Sequence, residues 1–335
     1  MANHPENPGD SFESITQAIL AAQTIGVVSH QRPDGDALGS CIGIGEVLSQ
    51  LGKTVHMVNA DPVPESLQFL AGTERIQVAA ELSEPFSVDL LIILDAAGAD
   101  RVGNAAWAAF ANSGLVINID HHVSNQRFGD LNYVDVISPA TGQIVFELIK
   151  SNQWTLSPAA RDALFAAIST DTGSFRYPNT TGATYRIAAD LIDLGADVGW
   201  LSQQLYESYP QRRIELLRGL LQNLDIREDG KIAAMKLTRS EAEAVGMRDG
   251  DTEGLIDVIR SVDSVVVAVF FEELKDGKIR VSSRSKSTQI DVGQICAVFG
   301  GGGHKLAAGA RISGPIEEAA ERFLNEVAKR FHGLD

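Results

Sequence analysis

Apolar and polar positions divide the chain into two stretches with different grammars. In the first, short unbroken apolar runs alternate with longer runs of helical period. Residues 25–29 read as a strand and residues 37–51 as the helix after it, with Leu38, Cys41, Ile42, Val47, Leu48 and Leu51 on one side. Residues 54–58, 90–94 and 115–119 read as further strands. The run 90–94 has no polar alternation, so both of its faces are expected to be buried, as in parallel sheets covered by helices. From residue 140 to about 224 the pattern is mainly helical, with Gly195 as a helix terminator. Residues 207–224 set Ile214, Leu216, Leu217, Leu220 and Leu221 beside Arg212, Arg213, Glu215 and Arg218, which suits an amphipathic connecting helix.

Beyond it the grammar changes. Residues 232–237, 264–271 and 278–283 read as strands, Lys275-Asp276-Gly277 as a hairpin turn, and residues 291–299 and 315–331 as helices. The expected fold class is α/β, with a mainly parallel-sheet N-terminal domain over residues 1–205 and a connecting helix over 206–225. A smaller α+β domain over 226–335 follows, with a cleft expected between the two domains. A length of 335 residues suits two domains.

Charge narrows the partners. Lys and Arg number 28 against 44 Asp and Glu, a net −16. A binder of long duplex works by displacing counterions with Lys and Arg and should be basic, so long nucleic acid and anionic membranes are disfavoured. A small anion is not excluded, because a local field can oppose the net charge. Cys41 and Cys296 are too few for a disulfide framework and read as buried reduced thiols. The first ten residues are polar, without a basic-then-apolar signal, and the longest apolar runs, 90–94 and 265–271, fall far short of a membrane span. The expectation is a soluble cytoplasmic protein.

Acidic and histidine side chains gather after the strands. His30-Gln31-Arg32-Pro33-Asp34-Gly35-Asp36 follows the first strand, Asp95 closes the run 90–94, and Asp120-His121-His122 closes the run 115–119. Asp171 ends a helix. Ligands of open α/β sheets bind at the carboxyl ends of the strands. Gly35 is expected to let the backbone fold between Asp34 and Asp36. Four carboxylates, Asp34, Asp36, Asp95 and Asp171, in one pocket with His30 and His121 would repel one another unless cations were present. Oxygen and imidazole donors suit Mn²⁺, Mg²⁺ or Co²⁺ better than a thiolate-bound zinc. Two such ions can activate a water and neutralise a phosphoryl group.

In the smaller domain, Gly300-Gly301-Gly302-Gly303-His304-Lys305 follows Ser282-Ser283-Arg284-Ser285. The glycines could expose N–H groups to an anion, and Arg284 offers a bidentate phosphate grip.

In order along the chain, His30…Asp34-Gly35-Asp36, Asp95, Asp120-His121-His122, Asp171 and Gly301-Gly302-Gly303-His304…Ala307-Ala308-Gly309 resemble the DHH phosphoesterase superfamily with its DHH-associated C-terminal domain. The stretches 33–40 and 174–181 look most like its nano-RNase branch, whose members degrade very short RNA and remove the 3′-phosphate of adenosine 3′,5′-bisphosphate. The resemblance implies two divalent ions, Mn²⁺ foremost. One would be held by His30, Asp34 and Asp95, the other by Asp36, Asp95, His121 and Asp171, with Asp95 bridging. It implies that His122 acts beside the scissile phosphate, and that Arg284, His304 and the loop Gly301, Gly302, Gly303 hold the other phosphate. It also allows a homodimer. Three other chemistries of the superfamily compete: a RecJ-like single-strand exonuclease, a cyclic-dinucleotide phosphodiesterase and a family II pyrophosphatase. A non-catalytic nucleotide sensor would be expected to lack a metal ligand, and none is missing.

The charge is also unevenly spread. Residues 275–311 carry seven basic against two acidic residues, a net +5, which leaves −21 for the rest. A globally acidic, locally basic chain is expected to accept short polyanions and reject long ones.

Overall fold

The computed structural model describes residues 9–248 and 250–332. The outer ends of both expected domains, and most of the polar segment at the start of the chain, lie outside the described residues. The chain divides after Ser208 into two compact units.

In the first unit, α1 (Phe12–Ala21) leads into β1 (Thr24–Val28), α2 (Gly35–Gln50) and β2 (Thr54–Asn59). Next come β3 (Ile76–Val78), β4 (Ser87–Leu94), the short helices α3 (Ala99–Val102) and α4 (Asn104–Ala109), β5 (Asn112–Asp120) and β6 (Leu131–Val134). Four helices close the unit: α5 (Thr141–Ser151), α6 (Pro158–Asp171), α7 (Gly182–Asp193) and α8 (Val198–Tyr206). The strands form one parallel sheet in the order β3-β2-β1-β4-β5-β6. The apolar runs are buried on both faces, as expected. Ile25, Val27, Leu90, Ile92 and Leu94 pack with residues of α2, α5 and α6 on one side. Val28, Leu91 and Ile93 pack with Val102, Ala106 and Phe110 on the other.

The sequence reading did not include α1, β3 or β6. The strands β3 and β6 are the two edges of the sheet, three and four residues long and mostly half-buried, so they carry no apolar run. Ser11 caps α1 by accepting from Ser14 N, and only Ile15 and Ile19 are buried along it.

Helices α2 and α6 approach closely because α2 carries glycine where α6 presses on it. A Cβ at Gly39 would collide with the carbonyl of Ala163 and stand 2.8 Å from Ala167 Cβ. Gly35 does not fold a turn between the aspartates as the sequence suggested. It opens α2, where a Cβ would meet Thr170 of α6 at 2.5 Å. This seam sets Asp36 of α2 near the end of α6, where Asp171 lies. Gly39→Val is therefore expected to force the helices apart and to lower stability by about 1–3 kcal/mol in chemical denaturation. An unchanged midpoint would show that the seam has slack.

In the second unit, α9 (Gln211–Gln222) precedes β7 (Asp225–Arg227), β8 (Ile232–Leu237), α10 (Arg239–Ala244), α11 (Leu255–Arg260) and β9 (Val267–Glu273). Then come β10 (Lys278–Ser285), α12 (Val292–Val298), β11 (Gly302–His304), β12 (Ala307–Ser313) and α13 (Ile316–His332). The sheet order is β11-β12-β10-β9-β8-β7, with β8 and β9 parallel and the other pairs antiparallel. The expected hairpin turn does join β9 to β10, with Gly277 at φ 76°. The helix expected over 206–225 is shorter. Pro210 stands at its N-cap, and residues before a proline avoid helical backbone. It is also no free linker, since Leu216 and Leu220 pack with Met235, Leu237 and Phe270 in this unit's core.

Cys41 and Cys296 are buried and unpaired. Among the described residues no helix is long and apolar enough to cross a membrane.

Candidate metal centre

The centre sits where the sheet order reverses, between β1 and β4, at the carboxyl ends of the strands. Ser29 continues β1 and is tied to β2 by Asn59, whose Oδ1 accepts from Ser29 N and Oγ at 3.1 Å each. His30 follows. Its Nδ1 lies 2.8 Å from the Gln31 carbonyl, which can only accept, so Nδ1 carries the proton and Nε2 faces the pocket. Nε2 stands 3.6 Å from Asp34 Oδ2 and 3.4 Å from Asp95 Oδ2. Asp34 is the N-cap of α2, its Oδ1 accepting from Asp36 N and Ala37 N, which leaves Oδ2 for the pocket.

Asp36 is fully buried. Its Oδ1 accepts from Ser40 Oγ at 3.2 Å and Gly142 N at 2.8 Å, and its Oδ2 from Thr141 N at 2.6 Å. These amides open α5, so the helix N-terminus stabilises the anion. Asp95 leaves β4 at φ 55°, a left-handed conformation uncommon outside glycine, asparagine and aspartate. Its two oxygens diverge. Oδ2 faces His30, while Oδ1 lies 3.4 Å from His121 Nε2, 3.6 Å from His122 Nδ1 and 3.1 Å from Thr141 Oγ1. His121 Nε2 also stands 3.3 Å from Asp171 Oδ2 and 3.8 Å from Asp36 Oδ2. His122 donates from Nδ1 to Asp120 Oδ1 at 2.8 Å, and its side chain is 33% exposed.

All six expected ligands therefore converge. They fall into His30–Asp34–Asp95 and Asp36–His121–Asp171, with Asp95, His121 and His122 forming a third overlapping group. Within each group the donor atoms lie within 4.8 Å of one another. The His–carboxylate separations of 3.3–3.8 Å that line the pocket are long for ionic hydrogen bonds, which run at about 2.7–2.9 Å. Two donors each about 2.1 Å from a shared ion stand roughly 3–4 Å apart. The donor set therefore fits divalent ions better than a network of ion pairs.

Electrostatics agree. Burial, then the charges of Asp95 and Asp171, pushes the Asp36 carboxyl well above its usual range. Asp171 is pushed up to about 7 by burial, opposed by His121 and reinforced by Asp34 and Asp95. Burial alone would raise Asp95 too, but hydrogen bonding to His121 and His30 holds it well below the usual range. Burial would lower His30, yet Asp34 and Asp95 raise it well above the usual imidazole value. A pocket in which carboxylates push one another up and imidazoles are pulled up is short of positive charge.

The sequence reading missed the residues that hold this set in place. Asn118, buried in β5, donates from Nδ2 to Ala96 O at 3.2 Å and more weakly to Ile93 O. Asn125 Nδ2 donates to Asp120 Oδ2 at 2.6 Å, Asn118 Oδ1 at 2.8 Å and Ala96 O at 3.2 Å. The two amides join the turn after β4 to the turn after β5. A lone Asn inside the apolar run 115–119 was the available signal. Thr141 and Gly142 carry a similar one, a small polar pair opening an apolar helix.

In the second unit, His304 of β11 and Arg284 of β10 both pair with Ala307 of β12, so the three form one row on one sheet face. The glycine run is not the open loop the sequence suggested. Gly301 N donates to Cys296 O at 2.9 Å, which closes α12 and removes that amide from the expected anion grip. Gly302 and Gly303 belong to an edge strand, and Gly303 has φ +139° with Ala308 directly beneath it.

The family described as the DHH family, N-terminal domain, matches residues 24–168, and the DHHA1 domain matches residues 229–333. The chain belongs to the DHH family of phosphoesterases, hydrolases of phosphoester bonds. It is 35% identical over 322 residues to the bifunctional oligoribonuclease and PAP phosphatase NrnA of Thermus thermophilus, covering 95% of this chain and 94% of that one. It is 32% identical to a probable protein of the same name from Streptococcus mutans, over 90% and 93% of the two chains. An exopolyphosphatase-related protein from Bacteroides fragilis has a similar structure, with a TM-score of 0.85, 27% identity and 95% of each chain covered.

Proposed function

We propose that the protein is a divalent-metal phosphohydrolase that degrades very short oligoribonucleotides and removes the 3′-phosphate of adenosine 3′,5′-bisphosphate. The observation that carries this reading is the division of Asp95, with Oδ2 facing His30 and Oδ1 facing His121. The relatives named for both activities, at 30–35% identity over most of the chain, support the choice of substrate.

His30, Asp34 and Asp95 would hold one ion and Asp36, Asp95, His121 and Asp171 the other, with Mn²⁺ the best match to the mixed oxygen and imidazole donors. When bound, such ions supply charge for the phosphoryl oxygens and a lowered pKa for a water. The protein does the rest. Asp120 keeps the proton of His122 on Nδ1, so Nε2 is the atom that meets substrate. A His122 protonated on both nitrogens can donate from Nε2 to the leaving oxygen, and Asp120 together with Asp95 favours that form. In the DHHA1 unit, Arg284 and His304 would grip a terminal phosphate.

The test is a panel graded by length, from adenosine 3′,5′-bisphosphate through dinucleotides to a 24-mer, with Mn²⁺. Rates should be highest for the shortest substrates and fall steeply with length. Preference for long single strands would favour a RecJ-like exonuclease, and absence of turnover despite bound metal a sensor. Within the same panel, Arg284→Ala is expected to raise KM about 10–100-fold, the worth of a charged bidentate contact, with little change in kcat. Unchanged kinetics on dinucleotides would remove Arg284 from the substrate site.

A further inference from the structure

Thr141 makes two contacts that no other residue in the centre combines. Its backbone N–H donates to Asp36 Oδ2 at 2.6 Å, and its hydroxyl donates to Asp95 Oδ1 at 3.1 Å. The residue is completely buried at the first turn of α5, whose position the helix backbone fixes. Asp95 has a single carboxylate that must serve both lobes of the site. An aspartate carboxylate rotates easily about its last torsion, which is broad and two-fold. Rotation would bring both oxygens toward one lobe and leave the other a donor short. His30 and His121 stand on opposite sides at the same 3.4 Å and cannot choose between the two orientations. The Thr141 hydroxyl is a directional donor on the Oδ1 side only.

We infer that Thr141 is a positioning residue that locks Asp95 in the bridging orientation, and so decides whether the centre holds two ions or one. The inference rests on the proposed metal centre and goes beyond it, since Thr141 is not itself a ligand there. Removing the hydroxyl should weaken the ion on the Asp36–His121–Asp171 side, the lobe served by Oδ1. The ion beside His30 and Asp34 should be largely retained. Outer partners of metal ligands are typically worth about 10–100-fold in affinity, which sets the size of the effect.

The experiment is titration of the metal-free full chain with Mn²⁺ alone, by calorimetry and by low-temperature electron paramagnetic resonance. Wild type should take up two ions and show the exchange-coupled signal of a close Mn²⁺ pair. Thr141→Val keeps shape and backbone N–H but removes the hydroxyl. It should bind the second ion about 10–100-fold more weakly and lose the coupled signal, and kcat should fall more than KM rises. Thr141→Ser should restore both affinities to within about threefold. Should the valine variant fail to fold, Thr141→Ala removes the hydroxyl without added bulk and carries the same readouts. Two intact affinities with a coupled signal in Thr141→Val would overturn the inference. Equal loss in the valine and serine variants would overturn it too, because the serine variant keeps the hydroxyl. A wild type with no Mn²⁺ pair would instead bring down the metal-centre reading, and this inference with it.

Discussion

Asp95→Asn is expected to lower kcat/KM on a dinucleotide by on the order of 10³-fold or more, with the fold intact. Its Oδ2 faces His30 and its Oδ1 faces His121, so one substitution removes the anionic donor that both lobes of the proposed centre would share. Losing several kcal/mol of charge stabilisation corresponds to about that factor. Asparagine is the sharper choice than alanine because of the backbone. Asp95 sits at φ 55°, where asparagine is tolerated and alanine pays about 1 kcal/mol or more. The amide also keeps an oxygen that can accept from Thr141 Oγ1. Activity loss in Asp95→Asn with an unchanged melting temperature of the metal-free protein would confirm a chemical role. Near-normal turnover with two ions bound would show that another carboxylate bridges.

His122→Ala is the second large effect, an expected drop of about 10²–10⁴-fold in kcat with metal binding and KM little changed. His122 differs from His121 in both exposure and partners. His121 is buried and faces three carboxylates, as a ligand should. His122 commits Nδ1 to Asp120 and remains one-third exposed, as suits a group that meets substrate. Asp120→Asn separates orientation from charge. An amide can donate to Nδ1 and so permit the tautomer with the proton on Nε2, and a loss smaller than that of His122→Ala is expected. If His122→Ala instead abolished Mn²⁺ uptake while sparing kcat at saturating metal, His122 would be a ligand and its assigned role would fall.

How much of this could be read from the chain depended on where each signal lay. The strands β1, β4 and β5 were legible because double burial leaves unbroken apolar runs. The edge strands β3 and β6 were not, since they are only three and four residues long and mostly half-buried. Strand β12, Ala307–Ser313, went unread because alanine and glycine carry little β signal, although Ala308 and Ala310 are buried. The candidate ligands were legible, since acidic and histidine side chains closing apolar runs have few structural uses. Thr141, Asn59, Asn118 and Asn125 were hidden because hydroxyls and amides are common in caps and turns. Only coordinates distinguish an amide that closes a turn from one that ties two loops under a charged pocket.

The spread of the ligands along the chain has a consequence during synthesis. His30 leaves the ribosome early, yet the other candidate ligands Asp95, His121 and Asp171 follow over the next hundred and more residues, and the last of them ends α6. An emerging polypeptide therefore holds loose acidic and imidazole groups, none of which can assemble a reactive pocket alone. The proposed centre is complete only when α6 lies along the glycine seam of α2, which sets Asp171 beside His121 and Asp36. For a protein proposed to act on very short RNA, the reactive pocket is thus withheld until the helices of the first unit have packed.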